Sequence, residues 1–241
     1  MKLFCYIGLF LTLVGCQMSE TLYFNSDGSG TIETASLRDE QSYMKLKLGN
    51  YNNEEVFYDT TFVVKDIIAK HAVTFDRISE ADKAVFSKYN AVEVAIKNSS
   101  YEKVFQTTIS QKFASASQIV DLYKTTEYVS DIRNNYALSA EEHYYEVSYS
   151  FDGTTFNRKV IITDTIELKK QQTRIDTLAI KYGKLDLTQS YRLDYHFPRR
   201  IKSVSNPEVV YCGDRKSFIL DFRISDCLKN PESTSLTVIL D

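Results

Sequence analysis

The sequence predicts an α+β fold, with antiparallel hairpins, about four helices packed on one face and a strand-rich C-terminus. Three observations predict it. Runs that alternate apolar and polar residues come in pairs around short turns of Asn, Asp, Ser and Gly, which is how antiparallel hairpins are written. Segments with apolar spacing near 3.6 residues lie between those pairs. From about Ser190 onward every patterned segment reads as strand. Strand pairs separated by helices favour an antiparallel sheet with helices on one side over alternating β–α units.

Met1-Lys2 gives a positive start, and Leu3 to Val14 is a run of 12 mostly apolar residues. A bilayer-spanning helix needs roughly 20, so this run is too short to span. It has the size of a signal-peptide core. Leu13-Val14-Gly15-Cys16 follows directly. This tetrapeptide resembles the lipobox of bacterial lipoproteins. The resemblance implies that residues 1–15 are a cleaved leader and that the Cys16 thiol carries a palmitate-type lipid anchor. An ordinary signal peptide with a chance cysteine is the plainer alternative. Cys16 to Glu20 then reads as a short tether, and 21–241 as one α+β domain.

Thr21 to Phe24 and Thr31 to Thr34 form the first hairpin, around Asn25-Ser26-Asp27-Gly28-Ser29-Gly30. Ser36 to Asn53 carries no firm pattern. Phe62, Val63, Ile67 and Ile68 suit a short helix through about Ala69. Ser79 looks like an N-cap, with Glu80 and Asp82 in the first turn of a helix that buries Ala84, Val85 and Tyr89. Val92 to Lys97 and Val104 to Phe113 pair around Asn98-Ser99-Ser100. Ser115 or Ser117 caps a helix through about Arg133, with Ile119, Leu122, Tyr123, Val129 and Ile132 inward. Tyr144 to Phe151 and Phe156 to Thr163 pair around Asp152-Gly153. Thr165 to about Tyr182 is a helix ended by Gly183. The tail holds strands near Tyr191 to Phe197, Glu208 to Cys212, Ser217 to Arg223 and Ser235 to Leu240. Residues 190–241 are a small β-subdomain or an extension of the main sheet; both readings stay open. Cys212 and Cys227 lie too far apart along an extended strand for a disulfide, so both are expected as free thiols.

Short matches along the chain carry a second likeness. Asp27-Gly28-Ser29-Gly30, Asp59-Thr60-Thr61-Phe62 with Lys65-Asp66-Ile67, and Ile201 to Pro207 before Gly213-Asp214-Arg215-Lys216 resemble uncharacterised Bacteroidetes-type lipoproteins. The lipobox followed by an α+β domain with an early hairpin is similar, in architecture alone, to the LppM-type lipoprotein domain. That likeness implies lipid binding and carries no catalytic residue.

A formal net charge of −3 gives no support to nucleic-acid binding. With 43% hydrophobic residues the chain is globular, not disordered. Asn25 to Ile32 resembles the first eight positions of a calcium loop, with Asn25, Asp27 and Ser29 as ligand types. The twelfth position, which should be Glu, is Ser36, and a tight turn explains the same residues. No metal and no cofactor is therefore expected. His71, His143 and His196 show no metal-ligand spacing. Ser29 lacks the Gly-x-Ser-x-Gly context of a hydrolase elbow. Arg199, Arg200 and Lys202 form a small basic group that reads as a solvated loop or as contact with anionic lipid head groups.

The expectation is a lipid-anchored cell-envelope protein, a binding or structural module without catalysis. Its partners are the membrane, through Cys16, and a protein, glycan or lipid. A lipid carrier and an envelope hydrolase are the alternatives. Gln17 after the cysteine favours the outer membrane, and the sparse acidic residues near Cys16 favour the periplasm-facing side.

Overall fold

A computed structural model describes residues 16–47, 55–134, 143–183, 187 and 189–241. The leader lies outside the described residues. In chain order the strands and helices are β1 (Cys16–Phe24), β2 (Gly30–Arg38), α1 (Glu40–Lys47), β3 (Phe57–Val63), α2 (Val64–Lys70), α3 (Ala72–Phe75) and α4 (Glu80–Ser87). Next come β4 (Glu93–Ser99), β5 (Val104–Phe113), α5 (Thr125–Asn134), β6 (Tyr145–Phe151), β7 (Thr155–Ile162) and α6 (Thr165–Tyr182). The chain ends with β8 (Gln189–His196), β9 (Ile201–Val204), β10 (Val210–Tyr211), β11 (Ser217–Arg223), α7 (Ile224–Lys229) and β12 (Leu236–Leu240).

The fold is α+β, and its strands form two sheets. The larger has eight strands in the order β10-β11-β8-β1-β2-β5-β4-β3; the smaller has four, β6-β7-β12-β9. Every predicted hairpin is present, but the large sheet is not purely antiparallel. β1 runs parallel to β8, with Cys16 opposite Gln189 and Tyr23 opposite His196. A pairing between strands so far apart in sequence needs no shared turn, so no turn signal announces it.

The predicted helix packing needs correction. Seven α-helices occur among the described residues, against about four expected. Helices α4 and α5 share the inner face of the large sheet with the small sheet, whereas α6 packs on α7. Phe156 of β7 meets Phe24 and Tyr195 of the large sheet, each with ring centroids 5.6 Å apart. Offset and edge-on rings at that spacing are favourable beyond their buried area. Further along the face, Phe86 of α4, Tyr89 in the turn after it and Tyr128 of α5 cluster, and Arg133 lies over the Phe62 ring of β3. The opposite face carries the out-pointing residues of the same strands, such as Ser19, Thr21, Thr31 and Glu33.

Several boundaries move for local reasons. Asp59 to Phe62 are strand, and the helix predicted there begins at Val64. Ser79 caps α4 as predicted, accepting from the Asp82 N–H. The buried residues of that segment are Phe86 and Tyr89, while Ala84 is exposed. The helix expected from Ser115 starts at Thr125, because 119–121 are extended between two 3-10 turns, Ala116–Gln118 and Leu122–Lys124. The strands of residues 190–241 are divided between the sheets: β8, β10 and β11 belong to the large sheet, and β9 and β12 to the small one. Cys227 sits on α7 and not on a continuing strand; Cys212 and Cys227 are free thiols.

The first hairpin shows how little room its turn leaves. Gly28 has φ +84°, which a residue with a Cβ rarely adopts. A Cβ on Gly30 would lie 2.0 Å from the Tyr23 carbonyl oxygen and 2.6 Å from the Phe113 ring.

Candidate functional site

The tether expected over Cys16 to Glu20 is the first half of β1. It is paired on both sides, to β2 and to β8. Alternation places Cys16, Met18, Glu20, Leu22 and Phe24 inward. Cys16 is 3% exposed, and burial pushes its thiol up to about 11, with Ser36 and Arg38 only partly opposing. A thiol so seldom ionised is a poor nucleophile in the folded state.

Four residues on, Glu20 is completely buried. Its Oε1 accepts from Arg158 Nε at 3.1 Å, from the Tyr149 hydroxyl at 3.0 Å and from the Tyr195 hydroxyl. Its Oε2 accepts from Arg158 Nη2 at 3.2 Å, from the Tyr123 hydroxyl at 2.6 Å and from the Tyr191 hydroxyl at 3.1 Å. Arg158 Nη1 donates to the Thr234 carbonyl and hydroxyl at 3.0 and 2.8 Å. The Tyr123 and Tyr191 oxygens are also 2.6 Å apart. A carboxylate offers about four lone-pair positions, so six donors saturate it.

Burial alone would raise the Glu20 carboxyl; the Arg158 charge and the converging donors outweigh it and hold the group below the ordinary value. Burial keeps the four tyrosines neutral, well above their usual range. They therefore act as hydrogen-bond donors, not as acids. The cluster joins β1 and β8 of the large sheet to β6 and β7 of the small one and to the turns carrying Tyr123 and Thr234. It is a polar clamp between the layers. Sequence reasoning missed it. The available signal was a pair of opposite charges at inward positions of alternating strands, Glu20 between Met18 and Leu22, and Arg158 between Phe156 and Val160.

Beside the clamp, Asp121 is raised to about 6, chiefly by burial, with His143 and Lys124 opposing. Its carboxylate accepts from the Tyr123 and Val147 N–H groups at 3.1 and 3.2 Å.

The remaining predicted residues do not converge. Asn25, Asp27 and Ser29 bond one another: Ser29 N and Oγ donate to Asp27 Oδ1 at 3.0 and 2.6 Å, and Asn25 Nδ2 donates to Ser29 Oγ at 2.9 Å. The turn consumes the would-be ligands. Among the described residues no group of three His, Cys, Asp or Glu could hold a metal ion. His143 Nε2 lies 3.8 Å from Glu127. His196 stacks on Tyr23 at 4.2 Å. Its Nε2 is 2.9 Å from Asp194 Oδ1, but the angle is not that of a hydrogen bond; the contact is an ion pair only when the imidazole is protonated. Arg199 donates to the Asp241 carbonyl at 2.7 Å and to the Gly153 carbonyl, while Arg200 and Lys202 are exposed. All three follow the far end of β8. With about 3.3 Å per residue they lie roughly 25 Å along the sheet from Cys16.

Two open cavities lie on outward sheet surfaces. One, of about 510 Å³, is bordered by Ser148, Ser150, Asn157, Lys159 and Thr237 on the small sheet. The other, of about 460 Å³, is bordered by Thr21, Tyr23, Glu33, Lys112 and Asp194 on the large sheet. Both are open and of mixed lining, with Leu236 and Tyr149 also bordering the first and Ile32 the second.

No family model matches the chain, and no curated protein matches it. It is similar to the NMR structure of the folded domain of the Mycobacterium tuberculosis LppM protein, with 6% identity and a TM-score of 0.35, over 94% of this chain and 91% of that one. A likeness this distant carries no argument about what the chain does.

Proposed function

We propose that this is a lipid-anchored cell-envelope protein, held by acyl chains on Cys16 and working as a binding or structural module. One observation carries the reading: Leu13-Val14-Gly15-Cys16 closes a 12-residue apolar leader. Among the described residues no helix is long and apolar enough to cross a membrane. Each buried methylene contributes about 0.8 kcal/mol, so two or more acyl chains give lasting attachment. Gln17 after the anchor favours the outer membrane, with the domain facing the periplasm.

The geometry adds an order of events. A thiol at 3% exposure has no room for a diacylglyceryl group. Acylation therefore precedes folding, while the exported chain is still extended. In the lipidated protein Cys16 to Ser19 peel from β2 and β8, and Glu20 is the first residue fixed by the clamp. The tether is made by leaving four residues of β1 unpaired. This orientation turns Arg199, Arg200 and Lys202 away from the anchoring bilayer, so head-group contact by them forms no part of the proposal.

The test is expression of the full chain in a bacterium. The native protein incorporates labelled palmitate and fractionates with membranes, and Cys16→Ser abolishes incorporation and releases the protein. Membrane retention of Cys16→Ser, or no label in the native protein, overturns the reading.

A further inference from the structure

We infer that the Cys16 end of the large sheet rests on the bilayer through an exposed aromatic tip formed by Val56, Phe57, Tyr58 and Tyr101; this rests on the anchoring proposed above. The register puts these residues at the same end as the anchor. Cys16 is opposite Arg38, and Leu37 is opposite Gln106. Next to them Phe105 is opposite Asn98, and Asn98 is opposite Tyr58. Four strand spacings of about 4.8 Å place Tyr58 roughly 19 Å across the sheet from the β1 position of Cys16, at the end of the sheet from which the released tether leaves. Val56 N donates to Ser100 Oγ and Ser100 N to the Val56 carbonyl, each at 2.9 Å, which pins the β4–β5 turn beside β3. Tyr101 on that turn is 96% exposed and Phe57 78%; Val56 and Tyr58 beside them are also exposed.

Single exposed apolar residues are ordinary. Four together, three of them aromatic and all at the end of the sheet from which the tether leaves, are not. Met44, on the helix that follows β2 at this end, is half exposed as well. Aromatic side chains suit the boundary between head groups and acyl chains. The charges here are mixed, with Lys97 paired to Glu102, so the occupant is the bilayer interface as such and not a specifically anionic surface. Anchor and tip would hold the domain at two points, which fixes its orientation and raises the effective concentration of each contact.

The chain has no tryptophan, so one introduced indole reports alone. The lipidated Phe57→Trp protein is reconstituted in phosphatidylcholine vesicles containing brominated lipid, with Tyr23→Trp at the far end of β1 as the control. Quenching of Phe57→Trp, unchanged between 0.1 and roughly 0.5 M salt where charge attraction would be screened, and no quenching of Tyr23→Trp, is the expected result. Exchange of the native lipidated protein between vesicles should accelerate about tenfold in Phe57→Ser/Tyr101→Ser, the factor for a 1.4 kcal/mol loss; circular dichroism checks that the variant is folded. Equal quenching at both positions, or none at Phe57→Trp, overturns the tip. So does a concentration-dependent blue shift without quenching, which would assign the patch to a second copy of the chain. Palmitate incorporation is read in the same preparation. If it is absent, the anchor has failed, and flotation of the unlipidated Phe57→Trp protein with the same vesicles decides the tip on its own.

Discussion

Replacing Arg158 with Met tests the buried clamp most directly. Methionine approximates the length of the arginine stem but brings no charge and no donor. Glu20 would then lose the two guanidinium hydrogen bonds and the one formal charge that oppose its desolvation. Thr234 would lose its partner at 2.8 Å. Removing one member of a buried ion pair costs about 3–5 kcal/mol, because the other charge stays buried without compensation. For a urea m-value near 2.5 kcal/mol/M, that is a fall in midpoint of about 1.5 M. Glu20→Gln should cost a similar amount, since the amide nitrogen would face hydroxyl and guanidinium donors while Arg158 keeps its charge. The double variant Glu20→Gln/Arg158→Met should be less destabilised than either single variant. No charge is then buried, and Tyr123 and Tyr191 can still bond each other at 2.6 Å. Urea unfolding followed by circular dichroism at pH 7 measures all three. Single variants within 1 kcal/mol of the native protein, or a double variant whose loss equals the sum, would show that the pair does not act as one unit.

The two buried carboxyls should leave opposite marks on the pH dependence. Glu20 is held low, so its contribution is present above its unfolded value near 4.5 and is lost as pH falls through its folded value. Asp121 is raised to about 6. Its folded form keeps a proton the unfolded chain has given up, so its contribution is complete below about pH 4 and disappears as pH rises through 6. From pH 4 to 7 the urea midpoint should therefore change in a more positive direction in Asp121→Asn than in the native protein; an identical change would remove Asp121 from the account. In unlipidated, folded protein at pH 8, Cys16 should react with iodoacetamide about 100-fold more slowly than in urea, from the shift of its thiol from 9.0 to about 11. Peptide mapping gives both rates, and equal rates would mean that Cys16 is not held in β1. Gly30→Ala should lower stability by about 1–3 kcal/mol through overpacking, because its Cβ would meet the Tyr23 carbonyl and the Phe113 ring. A thermal midpoint equal to that of the native protein would contradict that geometry.

Local signals were legible wherever the chain settles its own conformation. Asp152-Gly153 marks a hairpin whose turn forms with Asp152 Oδ1 accepting from the Thr154 and Thr155 N–H groups. Thr165 to Tyr182 is helical over its whole predicted span, capped by Asp164. Ser79 caps its helix as the spacing of Glu80 and Asp82 suggests. The clamp is not legible in this way. Glu20 bonds groups 103 to 175 residues away in the chain, and no spacing along a sequence encodes such contacts.

The amino-acid order by itself determined the hairpins, the long helix and the α+β class, because turn chemistry and periodicity act over a few residues. Only the tertiary structure decided that β1 enters the middle of a mixed sheet, that a second sheet shares its covered face, and that one lone acidic residue becomes the centre of a buried charge cluster. Those outcomes depend on which inward side chains meet when two layers close over each other, and desolvation makes each such meeting either costly or mutually satisfied.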